Sequence, residues 1–327
     1  MIQPIGYRAT LLAATTLVAA CGGGSKSVLN PGANGLPYAV AGLSADVNTM
    51  TTTYSGVAFT GDGGSAVWQD NSGTVSAVST GVGDKNVTIT IINSSTIDVN
   101  TGSGNVRFTR QAGTPTNVGG FSGDLWRNTS GSLQGIFALA GDAGAPTTLN
   151  SIFFGYIEQN EAAGGGVTDY SDTFIVSGFE TLPSEVTATL PTATYTGPAA
   201  LYLRQTTVGG IANKVALIEN SSGTNLTANF GAGTLTGTLS GTTDTALGNE
   251  PIVLTLTGAT ITPGNNSFSG GFTESGANTI TLNGLQQISG NFYGQNAAEI
   301  GGIISTGVAA GGPVTGATVA SGFFLGN

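Results

Sequence analysis

The sequence predicts an all-β protein, with an N-terminal β-rich handle domain followed by a C-terminal eight-stranded antiparallel β-barrel. Composition is the first reason. Of 327 residues 54 are glycine, 8% of the chain is charged and 39% hydrophobic, and Thr, Ser and Asn fill most of the rest. Gly, Thr, Ser and Asn are poor helix formers, whereas Thr, Val and Ile suit a pleated surface and Gly and Asn supply its turns. The second reason is alternation. Val87, Ile89 and Ile91 are separated by Thr88 and Thr90, and Leu235, Gly237 and Leu239 by Thr236 and Thr238, the period-2 pattern of half-buried strands. Spacing is the third. Similar short stretches at Val106–Thr109, Ile152–Ile157, Phe174–Phe179, Leu201–Arg204, Val215–Ile218, Leu226–Phe230 and Ile252–Ile261 recur with turn residues between them, as in sandwiches and barrels.

Near the N-terminus Arg8 precedes an apolar run from Ala9 to Ala20 that ends Leu17-Val18-Ala19-Ala20 before the only cysteine, Cys21. Small residues at a cleavage site followed directly by cysteine are what a lipoprotein-processing peptidase needs, with the Cys21 thiol accepting a diacylglycerol. The other readings are a plain secretory leader and a short membrane anchor, for which the run is short. Residues 1–20 are thus expected to be a lipoprotein signal peptide and Cys21 the lipidation site, tethering the protein to a membrane it does not cross. Residues 21–36, rich in Gly, Ser, Asn and Pro, read as a flexible tether. Gly22 is not an acidic retention signal, so outer-membrane sorting is expected. With its one thiol consumed by lipid, the fold has no disulfide to rely on.

In the body, the prolines of Leu182–Pro191 bracket a connector between two strand candidates. This divides a handle domain, residues 37–190, from a barrel domain, residues 191–327. The second part holds roughly eight strand candidates, the number whose closed interior side chains just fill. The one helical candidate after the leader, Ile157 to Ala163, runs into three glycines.

The stretch Gly290-Asn291-Phe292-Tyr293-Gly294, continuing through Asn296 and Glu299 to Gly301-Gly302, and the closing Ser321–Gly326 resemble the barrel terminus of transferrin-binding protein-like surface lipoproteins. Phe174–Thr181, the two prolines and Ala193–Gly197 fit the same family upstream, as do Leu226–Gly231, Leu235–Gly237 and Phe268–Phe272. The resemblance implies a surface protein that binds a host or environmental ligand such as an iron carrier or haem, often with a TonB-dependent outer-membrane receptor as partner. The residues themselves carry a structural reading. Of Phe292 and Tyr293, neighbours on a strand, one ring faces the interior and the other outward. Gly290 and Gly294 permit a bulge or close strand approach. Glu299 stands where it can accept from backbone donors in the turn.

Chemistry is narrowed by what is missing. The chain has no histidine, which with the acylated cysteine removes Ser-His-Asp, Cys-His and nearly all zinc chemistry and leaves haem without an axial histidine. No enzyme activity, no metal and no cofactor are therefore expected. A net charge of −10 disfavours nucleic acid and anionic lipid as partners. Glu158 with Glu161 and Asp169 with Asp172 belong to a stretch, Glu158 to Glu185, that carries six of the eighteen carboxylates; it reads either as solvated loop charge or as a loop contacting a cationic partner. Trp68, Trp126, Phe153, Phe154 and Tyr156 are candidates for a binding patch or for core. The expected function is an outer-membrane-anchored lipoprotein that captures a ligand in iron, haem or other nutrient uptake. The alternatives are a structural or adhesive surface lipoprotein and an embedded channel, for which a lipid anchor is redundant.

Overall fold

The computed structural model describes residues 58–71, 75–93, 95–100, 105–118, 121–128, 133–139, 152–164, 167–205, 214–242, 249–275, 282, 285–307 and 318–327. The leader, Cys21 and the tether lie outside the described residues. Eight strands form an N-terminal ring: β1 (Ala58–Asn71), β2 (Val75–Asn93), β3 (Thr96–Asn100), β4 (Asn105–Val118), β5 (Phe121–Asn128), β6 (Leu133–Leu139), β7 (Ile152–Gly164) and β8 (Val167–Gly178). Each pairs antiparallel with the next, and β8 returns to β1, so the ring is a closed barrel. The β-rich handle is thus itself a barrel. Val87, Ile89, Ile91, Ile97, Val99, Phe108 and Trp126 are buried on β2 to β5. On β3 and β4 the cross-strand pair Asp98 and Arg107 forms a two-pronged ion pair, 2.7 and 2.8 Å, in which the guanidinium holds the Asp98 carboxyl below its ordinary value.

A second closed antiparallel barrel follows: β9 (Ala193–Gln205), β10 (Lys214–Asn229), β11 (Thr234–Thr242), β12 (Pro251–Ile261), β13 (Ser267–Ser275), β14 (Leu285–Tyr293), β15 (Glu299–Gly307) and β16 (Thr318–Gly326), with β16 pairing back to β9. This is the C-terminal eight-stranded barrel that the sequence predicts. Closure leaves neither ring with an unpaired edge. In the C-terminal barrel Gln205, Thr242, Ser275 and Gly307, the last residues of β9, β11, β13 and β15, lie at one end. Short turns, 230–233, 262–266 and 294–298, close the other. Residues 179–192 link the barrels across that closed end, where Val186 enters the core.

Two strand candidates of the sequence, Val215–Ile218 and Leu226–Phe230, fall on the single strand β10, except that Phe230 already belongs to the turn after it. The pairing with β9 shifts between Asn220 and Thr224, opposite Pro198. Proline has no N–H for the ladder, so a bulge belongs there. The Thr224 hydroxyl, buried, donates to the Pro198 carbonyl at 2.9 Å. The helical candidate Ile157 to Ala163 is likewise corrected: it lies within β7. The register along β8 runs unbroken from Ile157 opposite Thr173 to Ala162 opposite Thr168, which holds this segment as strand.

Candidate functional site

The acidic stretch is not a loop through Asp172, as its charge suggests, but the hairpin β7–β8 followed by the connector. Cross-strand register sets Glu158 opposite Asp172 and Glu161 opposite Asp169. Like charges directly opposite one another destabilise a sheet. The two pairs stand three residues apart, and the period-2 pleat puts them on opposite faces of the hairpin. Asp172 occupies the face shared by Phe174 and Val176, which pack on the C-terminal barrel. By register the four residues are therefore two separate pairs. The rung carrying Glu158 and Asp172 continues through Gln134 to Arg127, an exposed cation on β5.

The signature element spans β14, a single 3-10 turn at Gln295–Ala297, and the start of β15. Phe292 points into the C-terminal barrel, where its ring meets Phe230, Phe268 and Tyr195 at centroid distances of 5.1, 5.5 and 6.1 Å. Tyr293 points outward yet is 0% exposed, because it lies against the N-terminal barrel with its hydroxyl donating to the Val176 carbonyl at 3.4 Å. Gly294, at φ 73°, and Asn296, at φ 56°, take left-handed backbone, which glycine adopts freely and asparagine tolerates. Glu299 is buried opposite Tyr293. Gly290 and Gly302 face each other across β14 and β15, and Gly301 faces Val176 and Ile152 of the N-terminal barrel. Trp126 is buried in the N-terminal barrel, the core reading of that residue.

What the C-terminal barrel can hold follows from its filling. Tyr195, Leu226, Phe230, Phe268, Phe272, Phe292 and Phe324 occupy the interior, and the gap between Leu201, Leu239, Ile252, Leu254 and Ile304 measures only about 10 Å3. A gap of that size is no ligand cavity. The pattern is also the reverse of a channel. Ile252, Leu254 and Leu256 point inward on β12, while Thr255 and Thr257 face out. A membrane barrel would show lipid an apolar exterior. Among the described residues no group of three or more His, Cys, Asp or Glu could hold a metal ion, and no helix is long and apolar enough to cross a membrane.

Tyr195 closes the interior near the signature turn. Its hydroxyl donates to the Ala297 carbonyl at 2.6 Å, and burial pushes the phenol well above its ordinary value. A group whose pKa rises on folding contributes stability that is complete below its unfolded pKa and is lost as pH climbs toward the folded value. The C-terminal barrel should therefore weaken above about pH 10. Urea midpoints measured from about pH 8 to 11 should fall more steeply in the wild type than in Tyr195→Phe, which loses about 1 kcal/mol at neutral pH with its hydrogen bond.

Fold and signature define a tandem of closed antiparallel barrels in which the second is packed solid and bears a Gly-aromatic turn against the first. Residues 188–321 match the family model described as the C-lobe and N-lobe beta barrels of Tf-binding protein B. The second barrel is thus a domain similar to those lobes. Among solved structures, the protein is similar to a transferrin binding protein B variant from Haemophilus parasuis Hp5 at 16% identity, covering 81% of this chain and 45% of that one, with a TM-score of 0.41. For the isotype 1 protein of serogroup B Neisseria meningitidis the values are 19%, 65%, 34% and 0.36. For the haemoglobin receptor HpuA from Kingella denitrificans they are 16%, 80%, 86% and 0.36. The chain spans less than half the length of those two transferrin-binding proteins.

Proposed function

We propose that this protein is a lipid-anchored surface receptor that binds a protein ligand for iron acquisition and performs no catalysis. The match of residues 188–321 to transferrin-binding protein B barrels carries the reading. The Cys21 lipobox, with outer-membrane sorting, supports anchorage at the surface. A filled barrel interior leaves outer surfaces and connecting loops as the places where a partner can bind. A TonB-dependent receptor is the proposed recipient of the captured iron. HpuA has been solved in complex with human haemoglobin, and the matched family model is that of Tf-binding protein B, so haemoglobin and transferrin are the first ligands to test.

The test uses the full chain displayed on cells and probed with haemoglobin and transferrin. Labelled palmitate should be incorporated by the wild type and not by Cys21→Ser, and protease treatment of intact cells should remove the barrels. Binding of either carrier, or recovery of another iron carrier from iron-starved cultures, supports the reading. Iron-independent expression with capture only of matrix or of the protein itself points to the adhesive alternative.

The carboxylate pairs on β7 and β8 are the proposed contact for a cationic patch on that ligand. Two cross-strand pairs of like charge weaken the sheet and gain a counterpart when a cation docks. Reversing Glu158, Glu161, Asp169 and Asp172 to lysine should lower affinity at least about tenfold and abolish its salt dependence. Unchanged affinity and salt dependence would remove the hairpin from the interface.

A further inference from the structure

The two barrels meet through residues that an isolated barrel would show to water. Outward-facing Ile303 and Phe323 are 0% exposed and Leu325 is 2% exposed. β15 runs beside β2 and β8 of the N-terminal barrel. Phe174 of β8 meets Tyr202 of β9 with ring centroids 5.2 Å apart and planes tilted by 46°. Phe174, Ile175 and Val176 are all 0% exposed, so β8 is covered on both faces, as strands enclosed between two layers are. At the centre is Gly301, where a Cβ would lie 2.8 Å from Val176 Cγ1 and 3.4 Å from Ile152 Cδ1.

Backbone hydrogen bonds stitch the same junction. Leaving β8, the chain gives its Phe179 carbonyl to the Gly294 N–H at 2.8 Å. The Thr181 N–H donates to the Phe292 carbonyl at 3.0 Å, and the Thr181 hydroxyl, 0% exposed, donates to the Gly294 carbonyl at 2.7 Å. Farther on, the Asn296 N–H donates to Glu185 Oε2 at 3.1 Å and the Gly264 N–H to the Val186 carbonyl at 2.9 Å. The connector thus extends the pairing of β14 past the end of its own barrel, with Glu180 bridged to Tyr293.

We propose that the Gly290–Gly302 element is a latch: its inward residues close the C-terminal barrel, and its outward residues, Tyr293, Gly294 and Gly301, clamp the N-terminal barrel in one fixed orientation. The left-handed turn at Gly294 aims its N–H and C=O at the incoming connector, and the bare Gly301 lets β8 lie flush on β15. A partner therefore meets both barrels as one rigid body. The proposal holds whatever that partner is.

Gly301→Glu places a charged wedge in the junction while leaving the inward side of β15 untouched. Calorimetry and small-angle scattering on the full chain should show one melting transition and a compact particle for the wild type, and two transitions and a larger radius of gyration for Gly301→Glu. Thr181→Val removes a single hydroxyl. In that variant amide hydrogen exchange at Gly294 and Thr181 should quicken roughly tenfold, with the centres of β12 and β13 unchanged. Two independent transitions in the wild type overturn the latch, as does a single transition with unaltered scattering in Gly301→Glu. Should that variant fail to fold by aromatic circular dichroism, exchange in Thr181→Val decides: rates at Gly294 equal to wild type overturn the proposal.

Discussion

Replacing Gly302 with alanine is expected to destabilise the C-terminal barrel by about 3 kcal/mol, the upper range for forcing extra volume into a packed core. The pairing register lines up Phe268, Gly290, Gly302 and Phe324 on one rung across β13, β14, β15 and β16. The two glycines leave the centre of the rung empty of side chains. Phe268 and Phe324 lean in from either side to fill it, with ring centroids 6.1 Å apart. A Cβ on Gly302 would overlap the Ser289 carbonyl and come within 2.8 Å of Phe324 Cζ, and one on Gly290 would stand 2.6 Å from Phe268 Cζ. Backbone and ring cannot both give way in a closed barrel, whose strands are held on both sides. Gly231→Ala is the control: its nearest neighbours would be the Ala188 carbonyl at 3.4 Å and Asn229 Oδ1 at 3.6 Å, ordinary contacts, so little change is expected. Urea unfolding of the three proteins gives the comparison. Equal midpoints for Gly302→Ala and wild type would show that the rung tolerates filling.

That rung explains why the C-terminal barrel is more legible in the sequence than the N-terminal one. Glycine beside aromatic, in Phe268-Ser269-Gly270, Gly290-Asn291-Phe292 and Gly322-Phe323-Phe324, leaves a local mark wherever strands approach closely. On β12, Ile252, Leu254 and Leu256 alternate cleanly because one face is core and the other water. The N-terminal barrel follows that rule only in places. β2 alternates only over its last third, Val87 to Ile91, and its first half reads Val75-Ser76-Ala77-Val78-Ser79-Thr80-Gly81. On β8 the consecutive Phe174, Ile175 and Val176 are all buried, since a second barrel covers the outer face, and the alternation is lost. β3 alternates too, Ile97 and Val99 buried between Thr96, Asp98 and Asn100, but over only five residues, and β1, β5 and β6 carry no such alternation. A sequence pattern reports how one strand divides between core and water. It cannot report a neighbouring domain, and for that reason the closure of the first ring, the outward yet buried Tyr293 and the role of Gly301 appear only in three dimensions.

The division of the acidic stretch into two pairs was hidden for a related cause. Sequence spacing groups Glu158 with Glu161 and Asp169 with Asp172. Strand pairing groups Glu158 with Asp172 and Glu161 with Asp169 instead. A loop would have let all four converge; a hairpin fixes them on alternate faces. Any cationic partner must then address one pair at a time, or reach around the end of the hairpin.

Phe292→Ala should cost about 4 kcal/mol, the loss expected when a buried phenylalanine is cut back and its cavity cannot collapse. Phe292 is 0% exposed and is shared by three rings, on β9, at the turn after β10 and on β13. Its backbone is fixed as well, through the Asn266 carbonyl on one side and the Thr181 N–H on the other. The site therefore has little freedom to relax, and the vacancy remains. Calorimetry should show the melting temperature lowered by about 7 °C, because the two barrels melt as one large unit. Phe292→Leu, which keeps most of the volume and loses the ring contacts, should fall between the two. Tyr293→Ala provides the contrast within the same dipeptide: it removes as large a ring from the junction, outside the C-terminal core. If Phe292 closes the barrel and Tyr293 joins the barrels, the first variant lowers the melting temperature with both barrels still unfolding together, and the second splits the transition in two. Identical single transitions for both would mean that the two neighbours serve one core, and that the division of the element into an inward and an outward half is wrong.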